Sequence, residues 1–160
     1  PEVKNSADNF GKTSKKIMSI PNANLQSTHS GNPLSCAAGS ATIDEINRLN
    51  LVTKTDEKGK IFKKHLDNFA VKYSNIIKCV TGKGLIGAII FKSIKKIDAK
   101  EIADKISMNC FNKNLLLVNT GRDSIKFGPP LTITSKVLNQ SMIILENSIK
   151  KFLNENSKKL

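Results

Sequence analysis

Two apolar, β-rich runs meet around a glycine turn in the middle of this chain, and that constrains the fold more than any other feature. Ile76 to Val80 is followed by Thr81-Gly82-Lys83-Gly84 and then by Leu85-Ile86-Gly87-Ala88-Ile89-Ile90-Phe91. Glycines this close together punctuate the backbone, so the two runs are expected to be neighbouring strands. The second run is continuous enough to predict a strand buried on both faces. Leu115 to Val118 predicts another short buried strand. Asn119-Thr120-Gly121-Arg122-Asp123 turns the chain, and Ser124 to Phe127 returns beside it. Pro129-Pro130 ends that strand, because neither residue can donate to a ladder.

Helical periodicity fills the remaining segments. Asn32 before Pro33 is a helix start, since Asn caps free N–H groups and Pro is tolerated at the first helical position. Leu34, Ala37, Ala38, Ala41, Ile46 and Leu49 keep one apolar stripe to about residue 50. Phe62, Leu66, Phe69, Ala70 and Tyr73 predict a second helix over roughly 56–74. Asp98 caps a third through Cys110, with Ile102, Ala103 and Ile106 inward. The last starts near Thr134 and presents Leu138, Met142, Leu145, Ile149 and Phe152. The expected architecture is α+β, helices packed against a short, mainly antiparallel sheet.

Composition narrows the function classes. The net charge of +13 invites a nucleic-acid reading, but all basic residues except Arg48 and Arg122 are lysine, and aromatic residues are 5% with no tryptophan. Bidentate phosphate recognition favours arginine and base stacking needs aromatics, so no nucleic-acid partner is expected. No apolar run approaches the roughly 20 residues of a membrane span, and the polar, lysine-dotted opening segment is not expected to act as a secretory signal. Cys36, Cys79 and Cys110 are widely spaced, which predicts no metal site and reduced, mostly buried thiols in a cytoplasmic protein.

From the residues alone no enzyme site emerges. His65 lies among Phe62, Phe69 and lysines and reads as a surface or edge-of-core histidine rather than a catalytic one. The hydroxyls of Ser27 and Thr28, ahead of a proline-started helix, form a candidate anion cradle. An ordinary capping loop is the simpler account. Arg122 in its Gly-Arg-Asp turn reads as a solvated charge pairing locally.

Four segments in register change that balance. Ser27-Thr28-His29-Ser30-Gly31-Asn32-Pro33-Leu34 with Ala37-Ala38 resembles the S-T-x-x-G-N-P-L-x-x-A-A segment of class III, fold-type I pyridoxal-phosphate (PLP) aminotransferases. Val80-Thr81-Gly82-Lys83-Gly84-Leu85-Ile86-Gly87 resembles the family's V-R-G-x-G-L-M-x-G hairpin. Ile125-Lys126-Phe127-Gly128-Pro129-Pro130-Leu131 resembles its I-R-x-x-P-P-L segment, and the closing amphipathic helix follows.

The resemblance implies the C-terminal part of such an enzyme. Residues 1–31 would be the end of the large PLP-binding domain, 32–55 an inter-domain helix and 56–160 the small domain. Thr28, supported by Ser27, would bind the PLP phosphate of the partner subunit in a homodimer, and Gly82, Gly84 and Gly87 would shape the hairpin. Lys126 stands where the family usually has an arginine that clamps a substrate carboxylate. A lysine offers a point charge rather than a fork, and Arg122 is the second candidate for that role. The Schiff-base lysine is expected upstream of Pro1, since Lys12, Lys15 and Lys16 lack the family's surroundings. The implied reaction moves an amino group from a small-molecule donor to a carbonyl acceptor. Two other readings stay open. One is an aminomutase, racemase or decarboxylase on the same scaffold; the other is a stand-alone basic module that binds polyanions.

Overall fold

The computed structural model describes residues 31–95 and 97–157. Packing divides the chain into two units, Pro1–Asp44 and Glu45–Leu160. Helix α1 (Pro33–Arg48) begins in the first unit and buries none of its own residues. The second unit runs α2 (Leu51–Lys72), β1 (Ile77–Lys83), β2 (Ile86–Phe91), α3 (Ala99–Phe111), β3 (Val118–Asn119), β4 (Ser124–Phe127) and α4 (Ser135–Glu155). The architecture is α+β, as expected.

The strands form one antiparallel sheet in the order β1-β2-β4-β3. Helices α2, α3 and α4 supply its covered face. Ile89 and Ile125, register partners on β2 and β4, are fully buried there with Phe62 and Leu66 of α2, Ile102 and Ile106 of α3, and Leu145 and Ile149 of α4. Burying one such side chain contributes about 1.5–3 kcal/mol. The Phe62 and Phe127 rings meet edge-on, 5.6 Å between centroids, and join α2 to β4.

Two helix starts follow the sequence closely. Asp98 Oδ1 accepts the Lys100 N–H (2.8 Å), while Ser93 Oγ accepts the Ala99 N–H (3.0 Å), so side chains satisfy two of the orphan donors of α3. Thr134 Oγ1 accepts the Val137 N–H (3.2 Å) at the start of α4. Helix α2, by contrast, begins at Leu51 rather than near 56. Asn50, at φ 48°, breaks the chain just after α1 and lets the next helix start at once. Valine and threonines in that first turn hide the helical signal, because β-branched residues carry low helix propensity.

Three strand expectations need correction. β2 is buried on one face only: Gly87, Ile89 and Phe91 are buried, whereas Ile86 is 73% exposed and Ala88 and Ile90 are half-buried. A second helical layer, as in a parallel α/β sheet, would be needed to bury the other face, and the described residues supply one layer. Leu115 to Val118 is no buried strand: pairing is confined to Val118 and Asn119, with Leu116 and Val118 79% and 60% exposed. As the edge strand, β3 has a neighbour on one side only. Strand β1 continues through Thr81-Gly82-Lys83, and the turn is the two-residue Gly84-Leu85 loop between the Lys83↔Ile86 pair. Gly84 at φ 57° occupies its first central position, where a type II′ turn requires glycine.

Candidate functional site

Ser27 and Thr28, the expected phosphate contacts, lie outside the described residues. The helix they precede is visible from its cap onward. Asn32 Oδ1 accepts the Leu34 N–H at 2.9 Å and the Ser35 N–H at 3.5 Å, and the Asn32 carbonyl accepts the Cys36 N–H at 3.0 Å. Pro33 has no N–H to offer. The first-turn donors of α1 are therefore taken by Asn32. The helix dipole remains available to an anion, but hydrogen bonds to it would have to come from the loop ahead of Asn32.

Lys126 stands on the face of the sheet that the described helices leave uncovered. Thr81 pairs with Ala88, Ala88 with Lys126, and Lys126 with Val118. Paired residues point to the same side of an antiparallel sheet, so these four side chains form one row across all four strands. Their neighbours in register on the opposite side, Ile89 and Ile125, are core residues. Lys126 is exposed and flanked by Ala88 and Val118, with no carboxylate paired to it among the described residues.

Arg122 lies on a different feature, the β3–β4 connection. That connection is stiffened from within: Asn119 Oδ1 accepts the Gly121 N–H (2.8 Å), and the Thr120 N–H and hydroxyl both reach the Ser124 carbonyl (3.2 and 3.1 Å). Asn119 Nδ2 donates to Asp104 of α3, which anchors the base of the hairpin to the helix layer. Arg122 is exposed at the tip, and the local ion pair expected for it does not form among the described residues. Arg122 and Lys126 thus lie four residues apart on one hairpin, the first in its connection and the second on β4. The Asn-Thr-Gly pattern signals the turn; its anchor on Asp104 has no signature in the sequence.

The three glycines of the hairpin have the structural roles expected of them. A Cβ on Gly87 would lie 2.8 Å from Phe62 Cε1 and 3.0 Å from Leu66 Cδ1. Gly59, which the sequence reading missed, matters as much. A Cβ there would lie 2.7 Å from the Gly84 Cα, so α2 and the hairpin turn touch backbone to backbone.

His65 is held at the α2–α4 seam, where its Nε2 lies 2.8 Å from Asn139 Oδ1, with Phe69 beside the ring. Of the surface and edge-of-core readings, this is the second. Further along the seam Glu146 accepts from Lys72 Nζ (2.6 Å) and Tyr73 Oη (2.9 Å). The Lys72 ammonium is the main cause holding the Glu146 carboxyl below its usual range, and the Tyr73 hydroxyl adds to it. Burial, then the Glu146 contact, raises the Tyr73 phenol. Lys150 of the same helix lies 3.5 Å from the carboxylate as well, and the cluster ties α4 to the end of α2.

Of the cysteines, Cys110 is buried and Cys36 and Cys79 are exposed, which corrects the expectation of mostly buried thiols. Burial raises the Cys110 thiol above its ordinary value. Among the described residues no group of His, Cys, Asp and Glu could hold a metal ion, and no helix is long and apolar enough to cross a membrane.

Comparison with known proteins bears on the family and the fold. Acetylornithine aminotransferase of Caldanaerobacter subterraneus subsp. tengcongensis is 31% identical over 121 residues, covering 76% of this chain and 29% of that protein. Mitochondrial ornithine aminotransferase of Rattus norvegicus is 31% identical over 126 residues, 79% of this chain and 27% of its own length. The crystal structure of acetylornithine aminotransferase from Elizabethkingia anophelis superimposes with a TM-score of 0.69 at 28% identity, over 79% of this chain and 30% of that one. The chain thus spans about three-tenths of the length of these relatives. The profile of the aminotransferase class-III family matches residues 9–149, and the chain belongs to that family.

Proposed function

We propose that this chain is the small-domain portion of a PLP-dependent aminotransferase that moves an amino group from a small-molecule amino donor to a carbonyl acceptor. The observation that carries the reading is the family match over residues 9–149, together with the placement of its motifs. The hairpin motif lies on β1 and β2, and the I-K-F-G-P-P-L motif on β4 and the segment after it. PLP, when bound, supplies the electron sink for chemistry at the carbon bearing nitrogen.

This chain's own residues bind and orient. The hydroxyls of Ser27 and Thr28 suit a phosphate as donors, and the capped helix behind them leaves that work to the loop. In a homodimer they would serve the partner subunit's cofactor. Lys126, exposed in an otherwise neutral row, is the candidate for a substrate carboxylate, and Arg122 is the second cation of the same hairpin. The division into a large-domain remnant (1–31), a connecting helix (32–55) and a small domain (56–160) belongs to this reading. So does a cytoplasmic setting, in which the exposed Cys36 and Cys79 would stay reduced.

The test is complementation. The chain is mixed with a separately produced large-domain polypeptide of the same gene and PLP, and cofactor absorbance and amino transfer are followed. Expected is a visible cofactor band and turnover that need both pieces. Thr28→Ala should weaken cofactor retention about tenfold, the worth of a hydrogen bond to a charged group. Lys126→Gln should raise KM for a carboxylate-bearing substrate more than it lowers kcat. A folded chain that leaves cofactor binding unchanged would overturn the reading. Salt-sensitive binding to heparin under those conditions would favour the basic module instead.

A further inference from the structure

We draw no further inference here: the strongest candidate, the apolar cleft of about 310 Å³ between α3 and the β3 edge of the sheet, where Met108, Phe111 and Leu116 are exposed around a Ser107 hydroxyl that is buried without a hydrogen-bond partner, carries nothing because no feature of the described residues shows what covers it.

Discussion

Single residues decide how tightly the helical layer sits on the sheet. Replacing a helix-interior glycine with alanine ordinarily stabilises by about 0.5–1 kcal/mol. At Gly59 the sign should reverse. The added Cβ meets the Gly84 Cα at 2.7 Å and its carbonyl at 2.9 Å, and backbone atoms cannot swing aside as a side chain can. Overpacking of this kind costs roughly 1–3 kcal/mol, so Gly59→Ala should lower the urea midpoint. A raised midpoint would mean that the hairpin can move off the helix. Glu146 gives a second test through pH. Its folded carboxyl is held below the ordinary range by Lys72 and Tyr73, so the unfolded chain binds the proton more readily. That contribution is fully present above the unfolded value of about 4.3 and is lost as pH falls through the folded value. Glu146→Gln should therefore be less stable at neutral pH. Its stability should also fall less steeply than the parent's under acid, as read from denaturant midpoints across a pH series. Identical slopes would remove Glu146 from the account.

At the level of elements, caps and pairing partners explain what the sequence could announce. Asp98→Ala and Thr134→Ala each remove a side-chain acceptor from a helix start and should cost about 1 kcal/mol apiece. Because the caps lie on separate helices, the two losses should add in the double variant, measured by chemical denaturation. These caps were legible because a capping residue acts on its immediate neighbours. Strand β4 and the inward stripes of α2, α3 and α4 were legible too, since each encodes its own period. The uncovered face of β2 was not: Ile86 and Ile90 look like core in sequence, and only the number of layers decides whether such residues are buried. The exposed Leu116 fails for the same reason, because an edge strand's surroundings are set by chain far away. Within the candidate site, Lys126 was found by motif and Arg122 only by its place four residues earlier. Their separation onto a strand centre and a hairpin tip became visible only with the register.

The molecule as a whole sets charge against apolar exposure. Ile86, Met108, Phe111, Leu116 and Val118 of the second unit are all more than half exposed, on a chain of net charge +13. Exposed apolar side chains drive association where they cluster, as Met108, Phe111 and Leu116 do around one cleft, while the net charge holds copies apart. The balance should depend on salt, because the screening length shrinks from about 30 Å at 0.01 M to about 10 Å at 0.1 M ionic strength. Apolar association is exposed rather than weakened when repulsion is screened. Light scattering on the isolated chain should therefore give masses that rise above 17.5 kDa with concentration, and rise further with salt. Association through ion pairs would show the opposite salt dependence. Leu116→Lys combined with Val118→Lys replaces two exposed side chains that bury little in the fold, so it should suppress association and leave the unfolding midpoint nearly unchanged. A mass fixed at the monomer value across both series would show that the uncovered face is tolerated in water, and self-association would then have to be abandoned as a property of the chain.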